Sequence, residues 1–216
     1  MQKIDKSNIH SLKYKKWVEG LGANHPEYKS NQRYVKDIKM SLLACQNGLC
    51  AYTEELLCDR ALLSEDNWID GEYVGDDNNQ NLVNGDLEHF DCTLKDTQGY
   101  LWDNLFMVNS NINCRIKGTQ SVDDILKPDA TNYDPYVYLQ FDDKINAFIA
   151  NQDLSDEDKS KVEEMIGVLG INRNAFKRAK QIKDLKENIE LGLELNEPDE
   201  YITSWQMTKK NLEENK

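Results

Sequence analysis

One histidine of this chain lies among carboxylates and is the first candidate for catalysis. His89 directly follows Glu88, and Asp91 lies two residues further on. A carboxylate near an imidazole raises the pKa of the ring and orients it, as a general base requires. In a strand, however, Glu88 and His89 point to opposite faces, so one site can use both only where the strand ends or bends. A solvated surface histidine is the alternative interpretation of His89, and for His10 and His25 a structural or surface role is the default.

Cysteines form a second group with partial metal-site spacing. The group consists of Cys45, Cys50 and Cys58, which fall within 14 residues, and of Cys114 far downstream. Structural zinc usually requires two C-x-x-C pairs, but Thr53 stands where the partner of Cys50 would be. The downstream segment 110–113 lies where the second pair is expected and has its four-residue length, but it contains no cysteine. We therefore expect no structural zinc, and five cysteines without a regular framework fit a reducing compartment.

The charges of the chain are unevenly distributed. The formal net charge is −13, which argues at first against a nucleic-acid footprint. Residues 1–39 carry nine Lys/Arg against four Asp/Glu, residues 64–96 carry ten acids and the single base Lys95, and residues 173–186 carry six bases and one acid. An acidic centre between basic flanks would place a cation site beside a phosphate-binding surface. The alternative is that the basic runs are solvated helix faces.

The central candidates lie on elements that the sequence pattern predicts. Residues 87–90 and 101–108 are short apolar segments separated by a polar loop and predict a pair of strands. A short helix is predicted from about 111 to 118. Upstream, apolar residues recur at helical spacing over 27–47, and a glycine follows as a stop. Residues 64–86 have the Asn-, Asp- and Gly-rich composition of a loop.

The C-terminal half has a more regular pattern. In residues 136–150 the side-chain types alternate along the chain, which predicts a hairpin that turns at Asp142 and Asp143. Ser155 is expected to open a helix that ends at Gly170. Residues 172–192 predict another helix, and Pro198 is expected to start a third.

These elements predict an α+β protein, with a small β-containing centre between an N-terminal helix and a helical C-terminal half. We divide the chain into segments 1–47, 48–127 and 128–216 and expect them to form one compact unit. Four Trp, ten Tyr and five Phe argue against a disordered chain. The apolar runs are too short to span a bilayer, and the first ten residues lack the apolar stretch of a signal peptide. We expect a folded cytoplasmic protein without membrane contact.

Four segments, read in order, resemble the HNH endonucleases of the PtuB type, the nuclease-like subunits of Septu and some retron anti-phage systems. The segments are CAYTE (50–54), DLEHFD (86–91), YLWDNL (100–105) and NINCRIKG (111–118). That family shows a glutamine before a CAYCE-like turn, then an IEHF segment, a WDNL segment and a C-x-x-C-N-x-x-K-G ending. The matching positions here are Gln46, Cys50, Ala51, Tyr52, Glu54, Glu88, His89, Phe90, Trp102, Asp103, Asn104, Leu105, Lys117 and Gly118. The resemblance covers most of residues 10–185.

The resemblance implies a metal-dependent nuclease with a ββα-metal (HNH-like) centre. His89 would be the general base that deprotonates a water molecule, and Asn104 would hold its imidazole. Glu88 and Asn113 would bind Mg²⁺ or Mn²⁺, and Lys117 would contact a phosphate oxygen. The substrate would be a nucleic acid, and the partner an ABC-type ATPase like PtuA.

The sequence also departs from the family pattern. The zinc-binding turns are reduced to Cys50, and Cys114 stands where the family helix offers Asn or His, with Asn113 one place earlier. One residue turns a helical side chain by about 100°. Three interpretations therefore stay open: an active endonuclease of an anti-phage system, a catalytically inactive HNH scaffold that binds a partner ATPase, and an unrelated α+β regulatory protein.

Overall fold

A computed structural model describes residues 1–75, 83–173 and 175–214 of the chain. The chain divides into two compact units. The first unit comprises Ile4–Ala51 and Leu56–Val122, and the second comprises Met1–Lys3, Tyr52–Glu55 and Asp123–Lys216. In the described residues, no helix combines the length and the apolar character needed to cross a membrane.

Two helices open the first unit. Helix α1 (Leu12–Leu21) begins after Ser11, whose hydroxyl accepts a hydrogen bond from the backbone N–H of Tyr14. Helix α2 (Val35–Cys45) is largely buried. Its start lies eight residues beyond the predicted start at 27, because the preceding backbone is held elsewhere: the Tyr28 N–H donates to the Lys95 carbonyl at 3.1 Å.

The segment predicted as a loop over 64–86 contains a very short hairpin. Strand β1 (Trp68–Ile69) pairs antiparallel with strand β2 (Glu72–Tyr73). Residues 76–82, which belong to the same predicted loop, lie outside the described residues.

A second antiparallel pair lies at the centre of the first unit. Strand β3 (Asp86–His89) pairs with strand β4 (Leu105–Val108). Every residue of β4 is buried, and helix α2 packs against it. The strand predicted over 101–108 begins only at Leu105, because Trp102–Asn104 forms a 3₁₀ turn. A short π-helical segment, Ile112–Lys117, follows β4 within the predicted range 111–118.

A glutamine side chain ties the end of α2 to β4. The Gln46 amide donates to the carbonyls of Leu49 and Met107 and accepts a hydrogen bond from the Met107 N–H at 2.9 Å. The Cys50 thiol sulfur accepts a hydrogen bond from the Asn109 N–H at 3.4 Å. Hydrogen bonds of Gln46 and Cys50 therefore join the segment after α2 to the end of β4.

The second unit contains a third hairpin and three long helices. After the helical turn α3 (Pro135–Tyr138), its elements are strands β5 (Leu139–Asp142) and β6 (Ala147–Ala150), and helices α4 (Asp156–Val168), α5 (Ala175–Glu190) and α6 (Ile202–Glu214). Each of the four elements predicted here is present with shifted bounds, and Ser155 caps α4 as predicted. Tyr136 and Tyr138 belong to α3 instead of the hairpin, because Asp134 caps a helical turn there.

The mixed α+β class is thus confirmed. The hairpin β3–β4 and the short helix after it are the part of the fold that holds the candidate residues.

Candidate functional site

The candidate site is built on β3, β4 and the helix Ile112–Lys117. Glu88 lies opposite Phe106, and His89 lies opposite Leu105. His89 is the last residue of β3, and the chain bends at Phe90 immediately after it. The strand therefore ends at the candidate base, which is the condition under which two neighbouring strand residues can serve one site.

The ring of His89 is buried and fixed in one orientation. His89 is only 5% exposed, and its Nε2 lies 2.9 Å from the carbonyl oxygen of Gly99. A carbonyl only accepts hydrogen bonds, so Nε2 carries the proton and Nδ1 keeps its lone pair in the neutral ring. The Tyr28 ring stands edge-on to the imidazole, with ring centres 4.9 Å apart. His89 is thereby held in the tautomer that a base acting through Nδ1 needs.

The pKa of His89 is lowered from its ordinary value, whereas its carboxylate neighbours in the sequence predict a raised pKa. Burial is the main cause, the hydrogen bond to Gly99 opposes it, and the positive charges of Lys95 and Lys117 add to the lowering. The ring is therefore neutral at pH 7, which is the form that accepts a proton.

Gly99 is required where the loop meets the Tyr28 segment. A Cβ atom at position 99 would collide with the backbone nitrogen of Tyr28 and the carbonyl oxygen of Lys95. The absence of a side chain lets the carbonyl of this residue reach His89 while the Tyr28 segment packs behind it.

Asn104 braces the bend that follows His89. Its Oδ1 accepts a hydrogen bond from the Asp91 N–H at 2.8 Å, and its Nδ2 donates to the Asp91 carbonyl at 3.0 Å. The Asn104 carbonyl also accepts from the Phe90 N–H at 2.8 Å. Asn104 is expected to hold the imidazole in orientation, but the hydrogen bond to the ring is made by Gly99. Asn104 acts on His89 through the backbone.

Glu88 and Lys117 form a buried ion pair. The Lys117 Nζ lies 2.5 Å from Glu88 Oε1, and the exposed fractions of the two side chains are 0% and 5%. The same ammonium group donates to the His89 carbonyl at 3.0 Å. Burial raises the pKa of the Glu88 carboxyl, and the charge of Lys117 opposes that rise. Lys117, expected to contact phosphate, is thus engaged inside the protein.

Asn113 directs a donor toward β3. Its Nδ2 lies 3.4 Å from the carbonyl oxygen of Leu87, the residue before Glu88. Its position on the short helix does bring it to the strand that carries Glu88 and His89.

The residues predicted to bind Mg²⁺ or Mn²⁺ do not fit a metal ion in this arrangement. Glu88 presents its carboxylate to an ammonium group, and Asn113 presents its amino group to a carbonyl. Within the described ranges, no group of three or more His, Cys, Asp and Glu side chains is placed to hold a metal ion. Divalent ions of this class need converging oxygen atoms with free lone pairs.

Three contributors to the site were missed by the sequence analysis: Tyr28, Lys95 and Gly99. The exposed Lys95 places its ammonium group 5.5 Å from the centre of the Tyr28 ring, which itself contacts His89. The sequence does offer a signal for Lys95, because it is the only basic residue of the segment 64–96, which contains ten acidic residues.

No protein-family model matches the chain, and no curated protein matches it significantly.

Proposed function

We propose that this protein is an HNH-type endonuclease that hydrolyses phosphodiester bonds of nucleic acid, with His89 as the general base. The observation that carries the proposal is the Nε2–H···O=C hydrogen bond to Gly99, since it leaves the lone pair of Nδ1 on a neutral ring. Asn113 and Lys117 of the short helix contact β3, which carries Glu88, and Asn104 holds the bend that follows this strand. This agrees with the ββα arrangement that the resemblance implies.

In the proposed reaction, Nδ1 of His89 takes a proton from a water molecule. The water oxygen forms a bond to phosphorus, and the ester bond to the leaving oxygen breaks. The lowered pKa of His89 then favours release of the proton, which ends on the leaving oxygen directly or through solvent. The exposed ammonium group of Lys95 is placed to attract the phosphate, and Asn104 keeps the bend after His89 in place.

The wider setting follows from the resemblance alone. We propose a cytoplasmic effector subunit of an anti-phage defence system, controlled by an ABC-type ATPase. An acidic protein of net charge −13 is suited to a protein partner that brings it to nucleic acid. The Mg²⁺ or Mn²⁺ that the resemblance implies takes no part in the proposed reaction, because Glu88 and Asn113 do not fit it.

A second candidate is a catalytically inactive HNH scaffold that binds the partner ATPase. The burial of His89 and the internal ion pair of Glu88 favour it, because both withdraw polar groups from substrate. An adaptor needs the folded hairpin β3–β4, but it does not need His89 as a proton acceptor.

Cleavage assays separate the two candidates. Single- and double-stranded DNA and RNA are incubated with the wild type, His89→Ala and the matched control His25→Ala, with and without the ATPase. We expect cleavage by the wild type and by His25→Ala, and a loss of about 10²- to 10⁴-fold in His89→Ala. Equal cleavage by wild type and His89→Ala removes the proposed mechanism, and no cleavage of any substrate with the ATPase present supports the adaptor.

A further inference from the structure

We propose that Lys117 is the resident cation of this site, in the place that the resemblance gives to a divalent metal ion. The protein then holds its hairpin, its short helix and the carboxylate of Glu88 together without bound metal. The inference concerns the charge balance of the site and holds whether the protein cleaves nucleic acid or acts as an adaptor.

The ammonium group of Lys117 bridges two consecutive residues of β3. It lies 2.5 Å from Glu88 Oε1 and 3.0 Å from the His89 carbonyl oxygen. Glu88 Oε1 is otherwise buried without a hydrogen-bond partner, so the contact is an ion pair and the Lys117 charge is what compensates this oxygen. Removing one member of a buried pair leaves an uncompensated charge.

This position is incompatible with a metal ion on the same carboxylate oxygen. Mg²⁺ binds oxygen at about 2.0–2.1 Å, and an ammonium group already touches that oxygen. Two cations a few ångströms apart repel strongly in a buried site, where solvent screens little.

A second side chain of the same helix supports the assignment independently. Asn113 approaches the Leu87 carbonyl through its Nδ2, as a carbonyl acceptor requires. The helix Ile112–Lys117 therefore directs two hydrogen-bond donors at residues 87–89 of β3, whereas a metal site would need acceptors there. The chain ends this helix at Gly118, with φ at +51°, so Lys117 lies in the last turn beside the strand.

The test measures thermal unfolding with EDTA, Mg²⁺ or Mn²⁺. We expect the melting temperature of the wild type to be the same in all three conditions. Lys117→Met should melt about 10 °C lower, and Mn²⁺ should raise its melting temperature, because an unpaired carboxylate then faces the vacated space. The double variant Lys117→Met/Glu88→Gln, the matched control, should show no response to Mn²⁺.

The contrary result is a rise in the melting temperature of the wild type with Mn²⁺ that Glu88→Gln abolishes. That pattern would make Glu88 a metal ligand and Lys117 a displaceable neighbour. The comparison of wild type with Glu88→Gln decides the matter even if Lys117→Met does not fold. Since no arm measures cleavage, failure of this inference is distinct from failure of the proposed nuclease function.

Discussion

Two hairpins with four-residue strands each lie beside a fully buried cation, and the two cations are neutralised in different ways. Beside β3–β4, the ammonium of Lys117 faces the carboxylate of Glu88. In the second unit, the guanidinium of Arg178 on α5 lies 5.5 and 5.3 Å from the ring centres of Phe141 and Phe148, which belong to β5 and β6.

The partners of Arg178 are neutral. It donates to the carbonyls of Asn146 at 2.9 Å and Ile171 at 3.3 Å and to the side-chain oxygen of Asn172 at 3.4 Å. Burial lowers the pKa of this guanidinium to about 10. Aromatic rings and neutral oxygen atoms contact this cation directly, and the charges of Tyr201 and Glu54 oppose the lowering of its pKa. The first site differs because it places an ionisable carboxylate and a neutral imidazole beside its cation, and both of those groups can exchange protons.

The largest expected effect is on the charged pair. Lys117→Met should lower the free energy of unfolding by about 3–5 kcal/mol, since it leaves Glu88 buried and unpaired. In Lys117→Met/Glu88→Gln the loss should be smaller than the sum of the two single losses, with a coupling of about 1–3 kcal/mol in urea unfolding. Strictly additive losses would mean that the two side chains do not act as a pair.

The loss of unfolding free energy should be smaller when Arg178 is replaced. Arg178→Met removes the hydrogen bonds to Asn146, Ile171 and Asn172 and should cost about 3 kcal/mol of unfolding free energy. Lys180→Met, on the exposed face of the same helix, is the control and should stay within about 0.5 kcal/mol of wild type. Equal unfolding midpoints for the two variants would contradict a bracing role for Arg178.

A smaller effect is expected at the bend after His89. Asn104→Ala removes both side-chain hydrogen bonds to Asp91 and should destabilise the protein by about 1–2 kcal/mol. The exposed Asn111 provides the control Asn111→Ala. If Asn104 also positions the base, cleavage should fall more in Asn104→Ala than its unfolding curve explains. An unchanged rate of cleavage would confine Asn104 to stability.

The smallest effect is the pH dependence that His89 contributes. Because its pKa in the folded protein is lowered, the unfolded chain binds more protons just below the ordinary pKa of 6.5. Stability from this residue is therefore complete above that value and declines as the pH falls toward the folded pKa. His89→Gln should remove this decline, by about 1 kcal/mol or less per pH unit, in urea unfolding between pH 7 and 5. A steeper decline of stability with falling pH in His89→Gln would contradict the predicted direction.

Part of the site could be predicted because its signals are local. Both strands of the hairpin and the helix near 111–118 follow from short-range patterns of apolar and polar residues, whereas the end of β3 at His89 does not. The orienting role of Gly99 could not be predicted, because any residue supplies a backbone carbonyl and only the folded loop brings this one to the ring.

The burial of Arg178 and Lys117 was equally hard to predict from the sequence. The basic run 173–186 was open to interpretation as a phosphate-binding surface or a solvated face, yet Arg178 points inward. Its spacing with Ile182 and Leu185, which share the buried side of α5, was a signal that the charge obscured. For Lys117 no local pattern indicates Glu88 as partner, since the two residues meet only through the hairpin–helix arrangement.

The most direct test of the central claim is the protonation state of the two ring nitrogens of His89. A long-range ¹H–¹⁵N correlation spectrum at pH 7, with His89→Gln to assign the signal among three histidines, reports the tautomer. We predict a neutral ring protonated at Nε2 with an unprotonated Nδ1. A ring protonated at Nδ1, or an imidazolium at that pH, would contradict the assignment of His89 as a base held by Gly99.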